Sequence, residues 1–154
     1  MDSIPPNLSK IECVPLNSSH IQDVYAVEKD CFTDPWSEEM FVQLLSNPLA
    51  VYTVAVYNGK AIGYAGLYHI LSEGQIMNVA VTPEMRRQGI AEKMLKVLVD
   101  YAKENDIEVM TLEARKSNNA AISLYEKLGF EIVGERKGYY QHPSDDAVLM
   151  NLTV

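Results

Sequence analysis

Val79-Ala80-Val81-Thr82-Pro83-Glu84-Met85-Arg86-Arg87-Gln88-Gly89-Ile90-Ala91-Glu92 joins a strand pattern to a helix pattern through a proline and a glycine. Upstream, Ile76, Asn78 and Ala80 alternate with Met77, Val79 and Val81, the period of a strand with two different faces. Pro83 lacks a donor and biases Thr82 away from helix, so the strand stops there. From Ile90 onward, Ile90, Met94, Val97, Leu98 and Tyr101 recur at spacings of three and four, which predicts a helix opening near Gln88-Gly89 with one buried face. A helix start leaves several N–H groups without partners, and the macrodipole adds partial positive charge. Gly89 lets backbone approach a ligand, Ala91 keeps the second turn open, and Arg86 and Arg87 add formal charge. The segment therefore reads as a phosphate cradle of the form R-x-x-G-x-A. That pattern alone is also compatible with an ordinary strand-to-helix turn carrying two solvated arginines.

Working outward, Lys10 to Leu16 alternates as a short strand, and Ser18 or Ser19 can cap a helix through Ile21, Val24, Tyr25, Val27 and Phe32. After Thr33-Asp34-Pro35, Ser37 with Glu38 and Glu39 opens a second short helix to about Leu45, which Asn47-Pro48 ends. Val51 to Tyr57 and Ala61 to His69 read as strands joined by a tight turn at Asn58-Gly59. Ser72-Glu73-Gly74 turns into the strand quoted above, which makes three consecutive antiparallel strands. Beyond the helix of Ile90 to Asn105, Val109 to Glu113 is a strand, and the helical crossover makes it parallel to its predecessor. Ser117 or Asn118 caps a helix carrying Ala121, Leu124, Tyr125 and Leu128, with Gly129 as left-handed terminator. Phe130 to Arg136 and Ala147 to Val154 close the chain as strands. The order β-α-α-β-β-β-α-β-α-β-β predicts an α/β fold, a mixed sheet with helices on both faces.

The 154 residues suit one domain, 1–154, with a core of its own. A hydrophobic fraction of 47% with 22% charged residues argues against disorder. The apolar run Val51 to Tyr57 is far too short to span a bilayer, and Met1 to Pro6 lacks the basic start and apolar core of a secretory signal, so a soluble cytoplasmic protein is expected. Cys13 and Cys31 stand far apart with no histidine at ligand spacing, and read as buried thiols. His20, His69 and His142 form no H-x-x-x-H pair, so no metal site is expected. A net charge of −8 opposes nucleic-acid binding, which needs lysine and arginine to neutralise phosphates.

Glu113 falls at the C-terminal end of its strand, where an open α/β sheet places its ligand crevice, and Tyr125 follows on the next helix. The block Leu112-Glu113-Ala114-Arg115-Lys116-Ser117-Asn118-Asn119-Ala120-Ala121-Ile122-Ser123-Leu124-Tyr125-Glu126-Lys127-Leu128-Gly129-Phe130, placed after R-x-x-G-x-A, resembles the GCN5-related N-acetyltransferase (GNAT) superfamily over nearly the whole chain. Within it the similarity is greatest to the bacterial RimI type, whose acceptor is the N-terminal alanine of ribosomal protein S18. Phe32-Thr33-Asp34-Pro35-Trp36-Ser37 and Gly138-Tyr139-Tyr140 carry that narrower likeness together with Glu113 through Phe130. The resemblance implies a GNAT fold, with a mostly antiparallel sheet of about seven strands, about four helices on both faces and a splayed strand at an acetyl-CoA site. It implies that Val79, Ala80 and Val81 pair with the pantetheine arm, and that Arg86, Arg87, Gln88, Gly89, Ile90, Ala91 and Glu92 hold the pyrophosphate. Asn118 is implied as a further cofactor contact. Many members have a second glycine where this chain has Ala91, and alanine is a common variant there.

Acetyl transfer to an amine needs a neutral nitrogen, a stabilised oxyanion and a proton for the departing thiolate. The resemblance assigns proton acceptance to Glu113, proton donation to Tyr125, and oxyanion stabilisation to a backbone N–H near Val79. Glu113 read alone is equally a solvated carboxylate, and Tyr125 a core aromatic on its helix. Phe32 and Trp36 are either packing residues or acceptor contacts, and Tyr139 and Tyr140 are either a peptide-binding wall or sheet packing. A free glutamate near pKa 4.3 needs burial or an ordered water to serve as base for an amine. An α-amine near 7.7 to 8.0 is an easier target than lysine near 10.4, which favours a protein N-terminus. A tyrosine near 10 is only modestly mismatched to a thiol near 8.5. Other N-termini, small amines and a CoA-binding module without turnover stay open as alternatives, as does the oligomeric state, with a monomer favoured.

Overall fold

The computed structural model describes residues 8–154; the opening segment Met1 to Pro6, discussed above as lacking a signal, lies outside the described residues. Strand β1 (Glu12–Pro15) leads to helices α1 (Ile21–Cys31) and α2 (Glu38–Leu44), then to strands β2 (Ala50–Tyr57), β3 (Lys60–Ile70) and β4 (Glu73–Val81). Helix α3 (Ile90–Glu104), strand β5 (Val109–Arg115), helix α4 (Asn119–Lys127) and strands β6 (Glu131–Tyr140) and β7 (Asp145–Thr153) complete the order. The seven strands form one sheet in the order β1-β2-β3-β4-β5-β7-β6, antiparallel except for β4 beside β5. Helices α1 and α2 cover one face with a core of Val24, Phe41, Val54 and Tyr64, and α3 and α4 cover the other around Ile90, Met94, Leu98 and Met110. This is the expected α/β architecture.

Local chemistry explains most boundaries. Asn58 and Gly59 both take positive φ (52° and 77°) while Tyr57 pairs with Lys60, the two-residue hairpin turn that this dipeptide favours. Ser37 caps α2 by accepting from the Met40 N–H, and Gly129 (φ 103°) follows α4 as its terminator. Before α1 the cap is Asn17 rather than Ser18 or Ser19. Its Oδ1 accepts from the Ser19 N–H at 2.9 Å and its own N–H donates to His20 Nδ1 at 3.0 Å, which closes a short 3-10 turn ahead of the helix. The last hairpin is longer than its apolar residues suggest. Tyr140 still pairs with Asp145, and Asp146 accepts from the Gly138 N–H, so pairing and polar contacts extend the strands past their apolar stretches.

The alternation in β4 breaks at Met77. Gly66 pairs with Asn78 and Leu67 with Ile76, so Met77 is an extra residue opposite β3. The bulge overturns the simple two-face reading. Ile76 joins the core on the α3 side together with Val79 and Val81, whereas Ala80 belongs to the core on the α1 side. Asn78 accepts from the Tyr52 hydroxyl at 2.7 Å, and the Tyr52 ring reaches it by lying flat over Gly66, where an added Cβ would stand 2.3 Å from ring carbons. Strands β4 and β5 pair only over Glu73–Gln75 and Val109–Thr111; beyond Thr111, β5 keeps β7 as its partner through Arg115. The sheet therefore opens between β4 and β5.

Candidate active site

The opening between β4 and β5 is a cavity of about 570 Å³. Val79 and Met77 line one side, Glu113 and Arg115 another, and Asn118 and Tyr125 of α4 close a third. The connection between α1 and α2 contributes Phe32 and Trp36, and the tip between β6 and β7 contributes Tyr139 and Tyr140. Nine-residue β4 ends with the Thr82 N–H bonded to the Ile62 carbonyl at 2.8 Å, so by strand alternation Ala80 also faces β3 while Val79 and Val81 turn their backbone groups outward. The outward Val81 carbonyl accepts from Arg86 Nε (3.2 Å) and from the Cys31 thiol (3.4 Å). Val79 turns its N–H and carbonyl the same way, into the opening.

The turn after β4 lies at the far end of that strand, and Arg86 through Glu92 do not line the cavity, nor do Ala80 and Val81. Arg87 (φ 63°) and Gly89 (φ 80°) are both left-handed, and Gly89 is the N-cap of α3 with no side-chain cap. The first helical bond of this end runs from the Lys93 N–H to the Gly89 carbonyl at 3.0 Å, so the N–H groups of Ile90, Ala91 and Glu92 have no carbonyl one turn behind them. Among the described residues Oε1 of Gln88 is buried without a hydrogen-bond partner. Arg86 is already engaged, with Nε on Val81 and Nη2 on Cys31 Sγ at 3.2 Å, so it clamps the end of β4 while Arg87 stays exposed. Glu92 is paired with Lys127 (2.9 Å) and Lys96 (3.1 Å), and its hydrogen bond from Lys127 leads the causes that hold its carboxyl below the usual range. The contact from Lys127 ties α4 to the first turn of α3.

Glu113 is not buried. Its side chain is 33% exposed, with Arg136 Nε 3.8 Å away, so it sits at the rim with access to water. Tyr125 is buried at 9% exposure, packed edge-on against Phe130, and desolvation first, then nearby Tyr140, pushes its phenol up to about 12. Asn118 spends Oδ1 on capping α4 through the Ala121 N–H at 3.1 Å, which leaves its Nδ2 group to donate. Phe32 is 42% exposed on the cavity wall, and Trp36 leans on Phe41 with ring centroids 5.4 Å apart. Tyr139 and Tyr140 stack edge-on at 5.0 Å. Burial and then the Glu113 carboxylate raise both phenols, Tyr140 to about 12. Cys13 and Cys31 are half-buried rather than buried, and desolvation raises both thiols.

Several wall residues escaped sequence reading. Arg115 donates to the Pro143 carbonyl (2.7 Å) and the Gln141 carbonyl (3.0 Å) and covers the Tyr140 ring at 4.5 Å, so it pins the β6–β7 tip. Thr33 Oγ1 donates to the His142 carbonyl at 2.8 Å, joining that tip to the α1–α2 connection. Glu28 is buried and also lines the cavity. Its signal was present in the sequence: Ile21, Val24, Glu28 and Cys31 fall on one helical stripe, so a carboxylate stands among apolar positions. Among the described residues no cluster of three or more histidine, cysteine or acidic side chains is placed to hold a metal ion.

The profile of the Acetyltransferase (GNAT) family matches residues 21–130. A Bacillus subtilis protein provisionally named a ribosomal protein bS18-alanine N-acetyltransferase is 38% identical over 135 residues, 87% of this chain and 89% of its own. The Escherichia coli K12 protein named ribosomal protein bS18-alanine N-acetyltransferase is 32% identical over 141 residues, 90% of this chain and 95% of its own. The crystal structure of the Escherichia coli S18-alanine N-acetyltransferase superposes with a TM-score of 0.87 at 31% identity, covering 94% of each chain. Arabidopsis thaliana NAA60, solved in complex with acetyl-CoA, shares the fold at a TM-score of 0.86 and 20% identity, over 94% of this chain and 98% of its own.

Proposed function

Since the chain belongs to the acetyltransferase (GNAT) family, we propose that it moves the acetyl group of acetyl-CoA onto the α-amine of a protein N-terminus, the N-terminal alanine of ribosomal protein S18. One observation carries this reading: the β4–β5 opening brings an outward strand backbone at Val79, a buried phenol at Tyr125 and a rim carboxylate at Glu113 onto one cavity. We read the whole chain, 1–154, as one such domain, working in the cytoplasm where ribosomal proteins are made.

The residues fit the donor. Free N–H groups at Ile90, Ala91 and Glu92, with Arg87 beside them, suit a diphosphate, and the orphaned Gln88 Oε1 suits an N–H donor of the same ligand. Arg86 holds the turn against β4, and the Asn118 amide is free to donate. Bound acetyl-CoA supplies an activated acyl carbon and a thiol leaving group. Val79 offers its outward N–H where negative charge gathers on the acyl oxygen. Glu113 takes the proton lost by the acceptor amine, directly or through water, which its exposed position allows. As the new C–N bond forms and the C–S bond breaks, Tyr125 donates its proton to the departing sulfur. Phe32, Trp36, Tyr139 and Tyr140 form the acceptor's walls.

The test is to incubate the protein with acetyl-CoA and a peptide that carries an S18-type N-terminal alanine, and to follow acetylated peptide by mass. Wild type should give product, and Glu113→Gln should lower kcat by about 10²-fold to 10⁴-fold while acetyl-CoA still binds. No product from the wild type ends the acceptor assignment. Undiminished product from the variant ends the role of Glu113.

A further inference from the structure

Glu28 is the one charged residue among the described residues that is buried, with only 2% exposed, and it lines the acceptor side of the cavity beside Cys31, Phe32 and Trp36. Both of its oxygens accept hydrogen bonds, Oε2 from the Trp36 N–H at 2.8 Å and Oε1 from the hydroxyl of fully buried Tyr64. Those bonds account for a polar side chain at this position. They do not account for a charge, because a glutamine would serve both partners: its carbonyl oxygen can accept from Trp36, and the tyrosine hydroxyl can turn to accept from its amide. Among the described residues Glu28 makes no ion pair. The nearby arginines are committed elsewhere. Arg86 contacts Cys31 and Val81, and Arg115 holds the Gln141 and Pro143 carbonyls. A buried carboxylate without a cation weakens the fold, and a polar wall facing an open cavity offers a place for a cation from outside.

An acceptor α-amine arrives largely as its ammonium at neutral pH. We propose that Glu28 is a second acceptor-binding carboxylate, whose buried charge holds the cationic α-amine of the incoming peptide at the inner end of the cavity before Glu113 removes its proton. The inference rests on the reading of the acceptor as an amine. It makes Glu28 a specificity-determining residue that favours acceptors with a charged end over neutral ones of the same shape.

The experiment compares two peptides of the same sequence bound to the protein saturated with CoA, one with a free N-terminal amine and one with a hydroxyl in its place. Wild type should bind the amine at least about 10-fold more tightly, in line with a charge-assisted hydrogen bond in a buried site. Glu28→Gln should erase that preference by weakening the amine peptide alone, with the affinity for CoA unchanged and the melting temperature no lower than that of wild type. Equal weakening of both peptides would make Glu28 a loop support only and overturn the proposal, as would an unchanged preference. Glu113→Gln supplies the measurement that does not depend on the folding of the Glu28 variant. It should keep the preference for the amine, and its loss there would assign the ammonium to Glu113 instead. A wild type that acetylates no peptide would sink the acceptor assignment itself, whereas an active wild type without the preference would sink only the role of Glu28.

Discussion

At the residue scale the balance of Tyr125 is the informative one. A phenol held near 12 and a thiol near 8.5 differ by ~3.5 units, so giving the proton to a free thiolate is uphill by ~5 kcal/mol, a larger mismatch than an ordinary tyrosine would present. Burial raises both partners, however, because a thiolate formed against the same apolar surface loses hydration too. In the proposed reaction Tyr125 therefore serves as a standing hydrogen-bond donor that yields its proton only as charge builds on sulfur. It should also stay protonated throughout the working range. With peptide saturating, kcat should rise as the bound acceptor amine gives up its proton, and Tyr125 should add no falling limb below about pH 10. Tyr125→Phe should lower kcat by about 10²-fold, at the modest end for a lost acid because a thiolate leaves tolerably unaided, and should leave the profile's shape unchanged. A falling limb below pH 10 that vanishes in Tyr125→Phe would show that the phenol ionises in its ordinary range, against this account.

At the scale of elements, β4 and the turn after it act together. The strand presents its outward backbone because the Met77 bulge and the loss of β5 pairing open the sheet, and Gly89 lets α3 begin at the strand's end with its N–H groups free. Gly89→Ala has room for the methyl group, whose nearest neighbour would be Leu8 Cδ2 at 3.5 Å. The cost is conformational: φ of 80° in an alanine costs about 1–2 kcal/mol, and relief of that strain would pull the helix start out of shape. The variant should melt lower and bind acetyl-CoA at least about 10-fold more weakly, while Gly59→Ala, at the β2–β3 turn and outside the first turn of α3, should lower stability alone. Calorimetric titration beside thermal melts separates the two, and equal CoA affinity in both variants would remove the turn from the cofactor site. Local signals made such elements legible in the sequence. Asn58-Gly59, Gly89 and Gly129 take left-handed backbone that few other residues adopt, and Ser37 caps its helix through its own side chain. The bulge at Met77 has no such signal, because an alternating run reads the same with or without an extra residue until its partner strand is known.

At the scale of the molecule, the site is assembled from segments far apart in the chain. Glu113 and Tyr125 are paired in the sequence only through the family resemblance of one contiguous strand-loop-helix block that carries both, whereas Arg115 on Gln141 and Pro143, Thr33 on His142 and Glu28 on Trp36 and Tyr64 depend on packing that no single segment encodes. The same packing buries three phenols, Tyr52, Tyr64 and Tyr125, whose ionisation is raised first by desolvation in each case. In the unfolded chain these groups lose their protons near pH 10, while in the fold they keep them to higher pH. Their contribution to stability is thus complete below about pH 10 and is lost as pH climbs toward the folded values, because the unfolded state then binds fewer protons. Each phenol adds a slope of about 1.4 kcal/mol per pH unit in that window, so the three together give ~4 kcal/mol per unit. Urea unfolding at steps between pH 9 and 11.5 should show the midpoint flat at first and then falling steeply. Tyr125→Phe removes one of these contributions, so its stability should fall less steeply than wild type above pH 10, by about 1.4 kcal/mol per pH unit. Parallel curves would mean that Tyr125 ionises alike in both states, which a phenol buried behind the cavity cannot do.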